Sequence, residues 1–126
     1  MDNDARSAAV RPLILPEIVT APGEIDSTNA QSIGDELRAA FGPGVAVVVA
    51  DMTRTTFLDS CGARCLLLAS QHAAHANAEL RLVIESAAVL SVLRIIGADR
   101  LLTIYPKLLA ALADPLAGAQ KAPGDG

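Results

Sequence analysis

Residues 45–62 read VAVVVADMTRTTFLDSCG, and this stretch holds both a strand and the start of a helix. Val45–Asp51 is an almost continuous aliphatic run rich in valine, which is typical of a central strand buried on both faces. Asp59 or Ser60 is placed to cap a helix over Asp59–Asn77, because short polar side chains at a helix start accept hydrogen bonds from free backbone N–H groups. The stretch therefore predicts a buried strand, a polar loop and a long helix.

Toward the C-terminus, strand-like and helix-like segments continue to alternate. Leu80–Ile84 predicts a second buried strand, and Ser86 is placed to cap a helix that ends at Gly97. Leu101–Tyr105 predicts a last short strand. The closing helix is expected over residues 107–113, with Pro106 where a first helical turn tolerates proline.

Toward the N-terminus, Val10–Leu15 and Ile18–Ala21 are short strand candidates on either side of Pro16, which favours a tight antiparallel start at a sheet edge. The sequence GEID at residues 23–26 predicts a turn. Apolar residues recur at every fourth position over Thr28–Phe41, which indicates an amphipathic helix with Ser27 or Thr28 as its N-cap. The sequence GPG at residues 42–44 is expected to end that helix.

Strands that alternate with helices predict an α/β fold with parallel neighbours and right-handed crossovers. We expect one domain over residues 10–113, with a small, mixed but mostly parallel sheet and one layer of helices packed against it. Residues 1–9 and 114–126 read as flexible tails, since the first is polar and the second is rich in Ala, Gly and Pro.

Composition narrows the classes of function. The 126 residues are about half apolar, which argues against a disordered chain, and the formal net charge is −4. Only Phe41, Phe57 and Tyr105 are aromatic, whereas single-stranded nucleic acids are usually bound by stacking on aromatic side chains. No basic run, signal peptide or membrane-length apolar stretch occurs, so we expect no nucleic-acid or membrane partner and a cytoplasmic protein with reduced thiols.

Catalytic constellations are missing from the sequence. A Ser–His–Asp relay needs a histidine beside Ser60, but His72 and His75 lie roughly 18 to 22 Å along the predicted helix. Those two histidines read as solvated side chains on an alanine-rich helix rather than as a metal pair. Cys61 and Cys65 lack the further ligands of a zinc site, and no glycine-rich phosphate loop occurs. We therefore expect no enzyme activity, no metal and no cofactor.

In proteins with parallel sheets, binding and catalytic residues usually lie in the loops past the carboxyl ends of the strands. Two such loops concentrate polar groups, namely residues 26–28 and residues 53–62. Ser60 reads either as a plain helix cap or as a phosphate acceptor, because a helix N-terminus favours negative charge. Cys61 reads either as a packing residue or as a reactive thiol in a first helical turn, and Cys65 reads more simply as a core residue.

Taken in order, these motifs resemble the STAS domain of bacterial anti-sigma factor antagonists. The resemblance covers residues 10–113 and includes the GEID turn, the buried strand that ends in Asp51, and the FLDSCG loop at residues 57–62 that opens a helix. It implies partner switching: binding to an anti-sigma factor of the Ser/Thr kinase type releases a sigma factor and regulates transcription in a stress response. Phosphorylation of a loop serine ends that binding.

The resemblance implies a set of partner-binding residues in the two loops and the first turn of the helix: Asp26, Ser27, Thr28, Thr56, Asp59, Ser60, Cys61, Gly62 and Arg64. In the family pattern the phosphorylated hydroxyl sits directly before the glycine, and here that position holds Cys61. Either Ser60, Thr55 or Thr56 accepts the phosphate, or thiol oxidation at Cys61, with Cys65 nearby, replaces it. We expect a monomer or a weak homodimer.

Two other functions remain open. One is a scaffold or adaptor of the same fold that has lost its switch, which the cysteine at the acceptor position favours. The other is a domain that binds a nucleotide or another small ligand at the same loops.

Overall fold

The computed structural model describes residues 15–115. The strands are β1 (Glu17–Thr20), β2 (Glu24–Ile25), β3 (Val47–Met52), β4 (Phe57–Leu58), β5 (Glu79–Ile84) and β6 (Thr103–Tyr105). The helices are α1 (Ala30–Ala40), α2 (Ser60–His75), α3 (Ala87–Ile95) and α4 (Leu108–Ala113), with a 3-10 turn at Ala98–Arg100. No helix within this range is long and apolar enough to cross a membrane.

The main sheet has the order β1-β3-β5-β6, and every strand pairing in the described part of the chain is parallel. β3 lies in the interior of the sheet, with Val48 opposite Leu80 of β5 and Val49 opposite Ile18 of β1. Every residue of β3 except Asp51 is buried. The α/β fold and the central strand predicted from the valine run are confirmed.

Helices cover both faces of the sheet, so the prediction of a single helical layer is wrong. Val48, Ala50 and Met52 of β3 point into the larger core, which α1, α2 and α3 line. Val47 and Val49 point the other way and pack against α4. A strand that is apolar on both faces needs cover on both faces, and the short α4 supplies it on the second one.

The second face contains a buried charge. Arg81 of β5 is only 1% exposed. Its guanidinium donates to the backbone carbonyls of Ala111, Asp114 and Pro115 at 2.7, 2.8 and 2.8 Å, and its Nε lies 3.1 Å from the Glu79 carboxylate. The carbonyls at the end of a helix have no partner within the helix, and Arg81 provides one. Arg81 therefore adds a polar anchor to the apolar packing of α4 on the sheet.

Tyr105 of β6 lies beside the same cluster. The centre of the Arg81 guanidinium is 5.6 Å from the centroid of the tyrosine ring. The Tyr105 hydroxyl donates to the Asp114 carboxylate at 2.6 Å. Burial, helped by this hydrogen bond, raises the pKa of Tyr105 to about 12. The hydroxyl therefore stays protonated and keeps donating across the neutral range.

Several predicted boundaries need correction. Neither Ser27 nor Thr28 caps α1; the N-cap is Asn29, whose amide side chain bonds backward to the Glu24 carbonyl at 2.8 Å. Pro106 precedes the N-cap of α4 at Lys107, so it lies outside the first helical turn.

At the N-terminus, Glu17–Thr20 forms the edge strand β1 as predicted within one residue, and it pairs in parallel with β3. The antiparallel pairing predicted for Val10–Leu15 falls almost wholly outside the described residues, and Leu15 itself is not in a strand. The predicted turn at residues 23–26 contains β2 instead.

Candidate functional site

Two short strands bring the two polar loops together. β2 pairs in parallel with β4, with Glu24 opposite Phe57 and Ile25 opposite Leu58. The Asp59 N–H extends this pairing by donating to the Ile25 carbonyl at 3.2 Å. The loop after β2 therefore lies beside the loop that starts α2, as expected for the carboxyl ends of parallel strands.

Residues 26–28 form a compact loop held by its own side chains. One Asp26 carboxylate oxygen accepts from the Thr28 hydroxyl at 2.5 Å and from the Thr28 N–H at 2.9 Å. These bonds hold the pKa of Asp26 below its usual value, because they favour the ionised carboxylate. The Asp26 N–H donates to the Asn29 side chain at 2.9 Å. Ser27 and Thr28 are exposed, so this loop presents hydroxyls around a fixed negative charge.

The two threonines of the second loop differ in access. Thr55 is fully buried, and its hydroxyl donates to the Pro22 carbonyl at 2.7 Å. Thr56 is exposed, and its N–H donates to the Gly23 carbonyl at 2.8 Å. Burial removes Thr55 from the accessible hydroxyls, whereas Thr56 stays among them. Both residues tie the second loop to the segment that precedes β2.

The first turn of α2 carries further exposed side chains of the candidate site. Asp59 is the N-cap, and its carboxylate accepts from the Gly62 N–H at 3.0 Å, which confirms the predicted cap. Ser60 and Cys61 are the first two helical residues, and both are exposed. Within residues 15–115 the Ser60 hydroxyl makes no hydrogen bond. Since Asp59 already caps the helix, the Ser60 side chain is not needed as a helix cap.

Gly62 allows α2 to approach β2 and β4 closely. A Cβ atom at this position would lie 2.5 Å from Cδ1 of Leu58 and 2.9 Å from both Cγ2 and the carbonyl oxygen of Ile25. Real Cβ contacts are essentially never this short. The glycine thus sets the position of the first turn of α2, and with it the position of Ser60 and Cys61.

The remaining candidates divide between surface and core. Arg64 is exposed one turn after Ser60. Cys65 is buried against α1, and burial raises the pKa of its thiol to about 11, although the nearby Arg38 guanidinium opposes this shift. His72 and His75 are exposed at the far end of α2, and the His72 ring lies 6.1 Å from that of Phe41. The structure therefore does not bring the histidines to the loops.

The two thiols are expected to differ sharply in reactivity, because only a thiolate is nucleophilic and Cys65 is both buried and weakly acidic. Treatment of the folded protein with iodoacetamide near pH 8 should alkylate Cys61 and leave Cys65 unmodified. Peptide mass spectrometry of folded and urea-unfolded samples measures this. Equal labelling of both cysteines in the folded protein would contradict the packing of α2 against α1.

One protein family matches this chain in sequence. The family model described as STAS domain covers residues 7–111. No curated protein matches this chain in sequence.

Solved structures share the fold. An anti-sigma factor antagonist from Mycobacterium paratuberculosis superposes with a TM-score of 0.63 at 23% identity, over 77% of this chain and 85% of that one. The anti-sigma factor antagonist SpoIIAA in its unphosphorylated form gives 0.62 at 20% identity, over 79% and 89%. A sulfate transporter family protein from Wolinella succinogenes gives 0.61 at 21% identity, over 90% and 93%. At these identities the superpositions establish a common fold.

Proposed function

We propose that this chain, which belongs to the STAS domain family, is an anti-sigma factor antagonist. It binds an anti-sigma factor of the Ser/Thr kinase type and thereby releases a sigma factor for transcription during a stress response. It acts by binding in the cytoplasm and catalyses no reaction. The partner surface consists of the two paired loops and the first turn of α2.

The exposed hydroxyl of Ser60 carries this proposal. It stands at the N-terminus of α2, where the helix dipole favours a negative group, and Asp59 already provides the cap. A phosphate there adds a charge of about −1.5 to −2 next to the Asp59 carboxylate. Such a charge in the middle of a small interface opposes docking through repulsion and through the cost of removing its water. Phosphorylation of Ser60 is thus the proposed switch.

The Ser60→Asp variant is expected to weaken binding of the anti-sigma factor kinase by at least about tenfold, because it places a fixed charge at the contact. Ser60→Ala should bind like the parent protein. The matched control is Ser91→Asp, which adds the same charge to an exposed serine of α3. Isothermal titration of each variant with the purified kinases of the source cell measures the effect, and equal loss in both Asp variants would contradict a specific switch.

The state of the switch in cells is measurable on one peptide. Trypsin cleavage after Arg54 and Arg64 releases residues 55–64, which contain Thr56, Ser60 and Cys61. A phosphate on Ser60 that changes between growing and stressed cells supports the proposed switch. An oxidised Cys61 with an unmodified Ser60 instead supports a thiol switch, in which peroxide transfers one oxygen atom to the exposed thiolate and leaves a sulfenic acid and hydroxide.

A second candidate is a scaffold that binds partners without a switch. Cys61 favours it, because this residue occupies the position of the usual phosphate acceptor, and the STAS fold also occurs in a sulfate transporter family protein. A scaffold binds its partners equally well with Ser60 or Asp at position 60, and its peptide 55–64 carries no modification in any growth condition. The titration therefore separates the two candidates.

A further inference from the structure

A groove of about 370 Å³ lies between α1 and α2, beside the paired loops. Its apolar lining includes Ala30 of α1 and Leu68 of α2. Gly34 helps to open it, because this glycine faces α2 without a side chain and a Cβ built there would lie 3.6 Å from Cβ of Cys65. The groove is thus a product of how the two helices pack.

Two cations line this groove, although the chain as a whole is acidic. Arg38 contributes from α1 and Arg64 from α2, while no Asp or Glu residue belongs to the lining. The formal net charge of the chain is −4, so the two arginines form a positive region on a chain that is negative overall. Arg64 makes no ion pair with any residue from 15 to 115, and Arg38 pairs with the exposed carboxylate of Asp35. An exposed pair of this kind contributes little, so an incoming anion can replace it at small cost.

The volume and lining match those of small-molecule sites. Ligand pockets commonly occupy about 300 to 1,000 Å³ and combine an apolar lining with a few polar groups that orient the ligand. From the size, the apolar lining and the two guanidinium groups, we propose that the groove between α1 and α2 binds a small amphipathic carboxylate. Arg38 and Arg64 hold the carboxylate, and the aliphatic part of the ligand lies along Ala30, Gly34 and Leu68.

The choice of arginine fits a carboxylate. A guanidinium offers parallel N–H donors that match the two oxygens of a carboxylate, whereas a lysine offers only a point charge. A short acid such as acetate leaves the apolar lining uncovered, and a neutral alcohol of the same length leaves both guanidinium groups without an anion. The site therefore discriminates by charge and by chain length together.

The native Cys61 thiol reports on occupancy, because it is one of the two cysteines that line the groove and the one that is exposed. Cys61 is exposed at its edge, and Cys65 is buried in its floor. A ligand seated between Arg38 and Arg64 covers the Cys61 thiol and slows its reaction with a neutral reagent. Only the unoccupied protein reacts, so a decanoate concentration ten times the dissociation constant slows alkylation by about tenfold.

The test measures the rate of Cys61 alkylation by iodoacetamide in the isolated protein, with decanoate as the probe below its micelle concentration. We expect saturable protection by decanoate and none by acetate, decanol or decyltrimethylammonium. The Arg38→Gln, Arg64→Gln double variant should lose the protection. The matched control is the Arg94→Gln, Arg100→Gln variant, which removes two exposed arginines outside the groove and should keep it.

Each rate is taken as a ratio with and without decanoate, so a difference in the unprotected alkylation rate between variants cancels. Backbone amide NMR gives a second measurement, in which decanoate should shift signals of α1 and α2 and leave those of α3 in place. Absent protection, protection by decanol equal to that by decanoate, or protection that survives in the double Gln variant would overturn the proposal. No partner protein is present, so the result does not depend on the proposed antagonist function.

Discussion

Replacing the buried Arg81 by Met is expected to lower the free energy of unfolding by about 3–5 kcal/mol, the usual cost of removing one partner from a buried charged network. The side chain is only 1% exposed, and it satisfies three backbone carbonyls at the end of α4. Methionine fills much of the same volume but donates no hydrogen bond. It leaves those three carbonyls without the Arg81 donor and removes the guanidinium from beside the Glu79 carboxylate.

This loss is a large fraction of the total free energy of unfolding, because small domains are stable by only about 5–15 kcal/mol. Urea unfolding followed by circular dichroism measures it. Arg94→Met is the matched control, since Arg94 is exposed on α3 and the same change there should stay within about 0.5 kcal/mol. Arg81→Lys should restore only part of the stability, because one ammonium cannot reproduce the geometry of the guanidinium. Equal stability of Arg81→Met and Arg94→Met would contradict the anchoring of α4 by Arg81.

Gly62→Ala is expected to destabilise the protein by about 1–3 kcal/mol, the usual cost of overpacking. The added methyl would lie 2.5 Å from Cδ1 of Leu58 and 2.9 Å from the carbonyl oxygen of Ile25. Leu58 can rotate away, but the Ile25 carbonyl belongs to the paired strand β2 and cannot move alone. The first turn of α2 must therefore shift outward, so partner binding should weaken in the same variant.

Gly34→Ala is the matched control, because it is the same change in another helix. Its nearest obstacle is Nη1 of Arg38 at 3.2 Å, the end of a flexible side chain that can swing away. Alanine favours a helix over glycine by about 1 kcal/mol, so Gly34→Ala should be neutral or stabilising. Thermal unfolding of the two variants measures the contrast. Equal effects of both substitutions would show that the close approach at Gly62 does not constrain α2.

Segments whose structure depends on local chemistry were predictable from the sequence. The valine run of β3 can be stable only where both its faces are covered, so it had to lie inside the sheet. Asp59 and Ser86 cap their helices through bonds to the N–H groups of Gly62 and Val89, three residues ahead in each case. Hydrogen bonds between residues three positions apart can be predicted from the local sequence.

Segments that depend on distant partners were not predictable. Asn29 is the N-cap of α1 in place of Ser27 or Thr28, and its side chain bonds to the carbonyl of Glu24 on β2 rather than to the helix. The turn predicted at residues 23–26 became a strand because β4 lies beside it, more than 30 residues later in the chain. No local pattern contains that information.

The second helical layer was missed for a related reason. Arg81 lies inside strand β5, where it and Glu79 are the two charged residues among apolar ones. Its partners are the last carbonyls of α4 and the residues directly after it, about 30 positions away. A charge at a buried strand position is a usable signal, because it must find partners to be tolerated. The charge alone does not predict which carbonyls will accept its hydrogen bonds.

The candidate site was predictable in outline. The concentration of polar groups in residues 26–28 and 53–62, past strand-like segments, singled out both loops, whereas the β2–β4 pairing that joins them was not predicted. Sequence reasoning did not separate the buried Thr55 from the exposed Thr56, because that difference depends on the bond from Thr55 to the Pro22 carbonyl. It also missed the groove beside α2, whose opening depends on Gly34 facing Cys65 across two helices.

The pairing of β2 with β4 also bears on the proposed partner surface. Because these strands are joined backbone to backbone, residues 26–28 and the first turn of α2 form one preformed epitope rather than two independent segments. Ordering flexible segments on association costs affinity, and a preformed surface avoids much of that cost. If these loops form the proposed partner surface, a partner can bind them tightly over a small area, and one added charge at the centre of that area is expected to weaken binding strongly.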